Sequence, residues 1–276
     1  MATLEKHLLL YDKDCPLCAN YTKFFVRYHF LSAESRLSFQ DMNFKNTTID
    51  EDLARNKIAL YDTETKETLY GIDAIGKVIG NKYNIVNTLL KIKPIYWILT
   101  QLYNFISFNR KIFIPVSCKY LTSCNPSKNW FWRSFLILIS IILFQSIYPN
   151  YLEKYFEGNY INDFYFTETL LFLVLIIYQG TFCSILKERN AYDYLGHLCM
   201  IVAMNALFIY VFSLILKLLE LTGVFTQLLG VMGVGIALAW SIIEHNRRMK
   251  LLEMNNWLTV SFVGFLILIY PFLFSM

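Results

Sequence analysis

Two cysteines separated by two residues, Cys15 and Cys18, stand in the segment Asp12-Lys13-Asp14-Cys15-Pro16-Leu17-Cys18, directly after a short apolar run. If a helix begins there, the first thiol sits where unsatisfied backbone N–H groups and the helix dipole stabilise a thiolate, which pulls a cysteine below its free pKa of about 8.5. The second thiol, one turn on, is placed to resolve a mixed disulfide. That arrangement suits thiol–disulfide exchange, with Cys15 as nucleophile and Cys18 as resolving thiol. Asp12 is a candidate proton acceptor, although a nearby carboxylate also opposes thiolate formation. Zinc binding competes with this reading, but it needs two further ligands. Cys118 and Cys124 are the only candidates outside the apolar half, and their five-residue gap is poor for a zinc knuckle. The spacing therefore favours redox chemistry and implies neither a metal nor an organic cofactor.

The elements around the pair follow from local pattern. Lys6 to Asp12 reads as a short buried strand next to a turn. Cys18, Tyr21, Thr22, Phe25 and Val26 recur at the spacing of one helix face. Asp14 is the expected N-cap, and Pro16 suits the first turn because its missing N–H costs nothing there. Arg36 to Met42 alternates like a second strand. Lys57–Tyr61 and Thr68–Gly71 read as a hairpin across a polar link, and Asp73–Gly80 as a further helix. Strand, helix, strand, hairpin, helix is the order of a minimal thioredoxin-like α/β fold.

Beyond about Lys128 the character of the chain changes. The protein is 56% hydrophobic and only 17% charged, against about 25% charged in an average soluble domain. Five apolar runs, Trp130–Tyr148, Glu168–Leu186, Tyr194–Leu216, Val224–Ile243 and Trp257–Phe274, each approach the ~20 residues that cross a bilayer. Basic residues gather before the first run, after the second (Lys187, Arg189) and after the fourth (Arg247, Arg248, Lys250). The positive-inside bias then puts the N-terminus in the cytoplasm and the C-terminus outside. Met1 to Tyr11 lacks the apolar core of a secretory signal, which agrees with a cytoplasmic N-terminal domain on the cytoplasmic (inner) membrane. The expected division is a thioredoxin-like core over 1–92, an amphipathic helical end and membrane-surface linker over 93–128, and an all-α transmembrane bundle of about five spans over 129–276. No Lys/Arg run has the density of a nucleic-acid patch, which excludes that partner class; lipid is the partner the apolar half requires.

Inside the apolar half, Cys183 and Cys199 fall near the same predicted membrane depth, a possible redox pair; two buried thiols acting as small hydrophobes is the plainer reading. Gln179, His197 and Asn205 could line a pocket or bond neighbouring helices. Gly230, Gly233 and Gly235 suggest close helix contact. Glu244, His245, Arg247 and Arg248 read as an interfacial anchor.

Three ordered matches resemble the DCC family of thiol–disulfide oxidoreductases, named for an Asp-x-x-Cys-x-x-Cys signature. They are Leu9 to Cys18, with Asp12, Cys15 and Cys18 on the signature positions; Tyr70-Gly71-Ile72-Asp73-Ala74-Ile75; and Phe108-Asn109-Arg110, followed by the late Cys124. The resemblance implies a thioredoxin-like fold and a redox dithiol, and it does not extend into the membrane half. No proline stands between Pro16 and Pro94, so the proline that faces the dithiol in thioredoxins has no counterpart, which speaks against a general protein reductase. The sequence thus leads to a membrane-tethered thiol–disulfide oxidoreductase acting on a thiol or disulfide partner protein. The alternative is a non-enzymatic subunit of a membrane complex whose thioredoxin-like domain serves for docking.

Overall fold

The structure is a computed structural model. It describes residues 3–4, 6–116, 126–156, 167–188, 191–219 and 223–274, so Cys118 and Cys124 lie outside the described residues. The chain forms two compact units, Met1–Arg133 and Ser134–Met276.

The first unit is built on a four-stranded mixed sheet. Strand β1 (His7–Tyr11) pairs in parallel with β2 (Arg36–Ser38) and antiparallel with β3 (Ala59–Asp62), which pairs antiparallel with β4 (Thr68–Tyr70), giving the order β2-β1-β3-β4. Successive side chains of a strand point to opposite faces, and β1 uses both. Leu9 packs with Phe25, Leu31, Leu60 and Val78, whereas Leu10 packs with Phe39, Ile49, Ala59 and Tyr61. An apolar run without polar alternation is what a strand covered on both sides needs. Helix α1 (Pro16–Arg27) makes the crossover from β1 to β2, burying Cys18, Thr22 and Phe25. The hairpin β3–β4 leads to α3 (Ile72–Gly80), after the short α2 (Glu51–Asn56). This is the expected thioredoxin-like class. Helices α4 (Asn84–Lys91) and α5 (Lys93–Phe113) complete the unit.

Two local expectations are corrected. The second strand stops at Ser38, because the chain turns there into a 3-10 helix over Phe39–Asp41 whose Asp41 N–H donates to Ser38 Oγ; a serine hydroxyl offers the backbone an alternative to the ladder. The N-cap of α1 is Cys15, not Asp14. Asp14 instead accepts a hydrogen bond from Gln40 Nε2 (3.2 Å), and the Cys15 N–H closes a turn onto the Asp12 carbonyl (3.2 Å). Pro16 occupies the first turn as expected.

The five apolar runs of the second half are five helices: α6 (Trp130–Tyr155), α7 (Thr167–Ile185), α8 (Ala191–Leu218), α9 (Val224–Leu251) and α10 (Trp257–Phe274). Among the described residues α6, α8 and α9 are long and apolar enough to cross a membrane, and α7 and α10 are shorter apolar helices. The protein is a membrane protein. Its second unit is apolar outside and polar within. Leu138, Ile177, Val211, Phe225 and Ile243 are exposed, while Gln179, His197, Asn205, His245 and Arg248 are buried. Outer residues of this kind suit lipid tails, and inner polar groups then have to bond one another.

Candidate active site: a buried dithiol at the start of α1

Cys15 ends the β1–α1 turn with extended backbone angles (φ −94°, ψ 110°), and α1 runs on from Pro16. Its sulfur therefore faces the first turn. The thiol of Cys18 and then the Cys18 backbone N–H donate to it, and the Arg110 guanidinium adds a favourable charge. Against burial and the Asp12 carboxylate, which oppose ionisation, these donors lower Cys15 to about 7. Cys18 moves the other way: donating its proton to Cys15 and being buried hold it far above the ordinary thiol range. Cys15 is thus poised to ionise near neutral pH, while Cys18 keeps its proton. Both are free thiols, with Cys15 fully buried and Cys18 8% exposed.

Asp12 is held from several sides. Its Oδ1 accepts from the Asp14 N–H (3.1 Å) and from Gln40 Nε2 (2.9 Å). Its Oδ2 lies 3.5 Å from Arg110 Nη2 and 3.8 Å from Lys111 Nζ. The Asp12 and Arg110 side chains are both almost wholly buried. Arg110 also donates to the carbonyls of Arg55 (3.0 Å) and Asn56 (3.4 Å). It sits near the end of α5, a helix whose inner face carries Ser107, Asn109 and Ile112. The expected site residues Asp12, Cys15 and Cys18 are therefore brought together, and the structure adds Arg110, which comes from 98 positions away along the chain. Its only trace in the sequence is the Asn109–Arg110 match; no local periodicity reports a partner that distant.

Beside the dithiol lies a cavity of about 300 Å³, with Cys18, Leu17, Tyr21, Ile58, Tyr103 and Ile106 among its walls. Tyr103 braces it: the Ile58 N–H donates to the Tyr103 hydroxyl (2.8 Å), and burial pushes that phenol up to about 12.

In the second unit, Cys183 packs with Tyr194, Met249 and Leu258, and Cys199 with Phe172, Leu198, Val202 and Phe262. The two free thiols thus occupy separate apolar clusters. Asn205 bonds helices together: it donates to the Ala237 carbonyl (2.8 Å) and to Ser241 Oγ (2.6 Å), and it accepts from the Tyr148 hydroxyl. Gln179 Oε1 accepts from Tyr194 (2.6 Å) and Ser261 (3.2 Å). Of the cluster read as an interfacial anchor, Arg247 stays exposed, while Glu244, His245 and Arg248 are drawn inward. Arg248, 1% exposed, donates to Glu244 Oε1 (2.8 Å) and His197 Nδ1 (2.9 Å), and His245 lies 3.1 Å from the Tyr194 hydroxyl.

The sheet order and the helix that starts at a cysteine make the first unit a thioredoxin-like domain, with two cysteines close together at that helix start. Residues 9–113 match the model of the DCC1-like thiol-disulfide oxidoreductase family, which bears out the resemblance carried by the three motifs. No curated protein and no solved structure matches the chain.

Proposed function

We propose that the protein is a membrane-tethered thiol–disulfide oxidoreductase in which Cys15 attacks and Cys18 resolves. The Cys15 thiolate forms a bond to one sulfur of a substrate disulfide, and the second substrate sulfur leaves as a thiolate. Cys18 then gives up its proton to that leaving group and attacks Cys15. This releases the reduced substrate and leaves a Cys15–Cys18 disulfide, so two electrons pass from the dithiol to the substrate. The observation that carries this reading is the opposed displacement of the two thiols, Cys15 down to about 7 and Cys18 upward. Asp12 acts on the pair through charge: with two hydrogen bonds and two cations on its oxygens, it serves to hold Arg110 in place rather than to carry protons. The DCC1-like match supports a partner that is a thiol or disulfide protein. The basic residues Lys187, Arg247 and Lys250, at the ends of α7 and α9, favour a cytoplasmic first unit and an external C-terminus.

The test is capture of the substrate. In the Cys18→Ser protein, expressed in its own membrane, the first mixed disulfide cannot be resolved, so a partner should accumulate on Cys15 and be released by dithiothreitol. Burial of both thiols favours a second reading, in which the domain docks a membrane complex and performs no chemistry. A Cys15→Ser, Cys18→Ser double variant that supports wild-type growth and assembly would establish that second reading and refute the first.

A further inference from the structure

Helices α4 and α5 leave apolar side chains uncovered at helical spacing. On α4 and its end these are Ile85, Leu89 and Ile92; on α5 they are Trp97, Ile98, Leu102 and Ile106. Ile85 is 68% exposed, Trp97 63% and Leu102 52%. Spacings of i, i+4 and i+7 on the first and i, i+4 and i+8 on the second are the pattern of a helix face that expects an apolar neighbour. The same stretch has a one-sided charge. From Ala74 to Val116 there is no Asp or Glu, whereas Lys77, Lys82, Lys91, Lys93, Arg110 and Lys111 are all basic. Arg110 and Lys111 face Asp12, while Lys77, Lys91 and Lys93 stand at the surface. Lys91 and Lys93 flank the exposed Ile92. We infer that the outer face of α4 and α5 docks on the headgroup layer of an anionic bilayer, with the apolar stripe inserted among the lipids and the lysines on their phosphates.

Charge complementarity selects this occupant. An exposed apolar stripe on helices that carry lysines and no carboxylate of their own suits a negatively charged lipid surface, and Asp73 of α3, which borders α5, already accepts from the Tyr96 hydroxyl. A second copy docked through the same face would bring together two patches that carry lysines and no acidic partner of their own, because a two-fold contact pairs a patch with its own copy. The chain also enters lipid soon afterwards, at α6, which keeps the local concentration of membrane surface high.

The test uses the full-length protein in nanodiscs, with a benzoylphenylalanine photocrosslinker in place of Ile98 or Leu102 and, as control, in place of the exposed Glu34. Irradiation in discs of mixed phosphatidylcholine and phosphatidylglycerol should attach lipid to positions 98 and 102 several-fold more than to position 34. Lipid adducts should fall in pure phosphatidylcholine discs and with the K91E/K93E double variant. Adducts to a second copy or to another part of the chain, or no excess over position 34, would overturn the proposal. Equal lipid adducts in charged and uncharged discs would overturn its electrostatic half. Because no thiol enters the readout, the outcome is independent of the proposed redox activity.

Discussion

At the scale of single residues, the chemistry depends on how three charges share one buried space. The Arg110 guanidinium favours the Cys15 thiolate and the Asp12 carboxylate opposes it, so replacing either shifts Cys15 in a known direction. Arg110→Gln should move Cys15 up from about 7 toward its ordinary value, and Asp12→Asn should move it further down. Following the thiolate by its ultraviolet absorbance against pH checks both, and no movement in either variant would show that the Cys18 thiol and backbone N–H set the acidity by themselves. The same shift links pH to stability. Cys15 is depressed in the folded chain, so its contribution to the stability of the reduced protein is full above the ordinary thiol pKa and is lost as pH falls through about 7. Cys18, displaced upward, contributes the opposite slope only above that window, where the unfolded thiol ionises and the folded one does not. Asp12→Asn carries a second cost, because it leaves Arg110 and Lys111 beside a neutral amide in a buried site; removing one partner of a buried pair typically costs about 3–5 kcal/mol. A depressed Cys15 in a markedly less stable protein is therefore the expected phenotype.

At the scale of elements, the features with a local cause were the legible ones. The run around Leu9 and Leu10 reads as a central strand because both faces of β1 are covered. The hairpin follows from two apolar segments around a polar link, and α1 from its spacing and Pro16. What lay beyond the sequence were choices between local bonds of similar strength, such as Ser38 ending β2 and Gln40 drawing Asp14 from the cap. The long-range contact of Arg110 was beyond it too. Gly71 shows how a motif position acquires a physical meaning only in the fold. It stands at the entrance to α3 with φ +62° and ψ −124°, which L side chains rarely adopt, and a Cβ there would meet the Tyr103 ring at 3.1 Å. Next to it, Asp73 accepts from the Tyr96 hydroxyl (3.1 Å) and Ala74 is fully buried, so the Gly-x-Asp-Ala element joins β4 to α3 and ties α3 to α5. Gly71→Ala should destabilise the first unit by about 1–3 kcal/mol, read as faster hydrogen exchange of α3 and β4 amides. Exchange like that of the wild type would mean the turn relaxes without strain.

At the scale of the whole molecule, the two units divide polar and apolar residues differently, and the second places its costly polar groups inside, behind an apolar exterior. Of the three glycines expected to mark close helix contact, Gly230 and Gly233 do so: a Cβ would strike Tyr155 in one case and Phe212 with Tyr151 in the other, while Gly235 faces open space. Such approaches bring helix backbones near enough for hydrogen bonds such as that from the Tyr151 hydroxyl to the Gly230 carbonyl (2.9 Å). In the same unit, Arg248 joins α9 to α8 through His197 while holding Glu244 on its own helix. A guanidinium at 1% exposure is tolerated only with such partners. Arg248→Met should therefore lower the stability of the bundle. Glu244 keeps its two-pronged bond to Arg247 (2.6 and 2.7 Å), so the loss should sit near the low end of the range for a broken buried pair, about 3 kcal/mol. Arg248→Lys retains the charge but cannot span Glu244 and His197 with a planar fork, and its Tm in detergent micelles should fall between those of wild type and Arg248→Met. If Arg248→Met melts with the wild type, the bundle is held by apolar packing and helix contact alone. Arg248 would then have to be explained by something it binds, not by what it holds together.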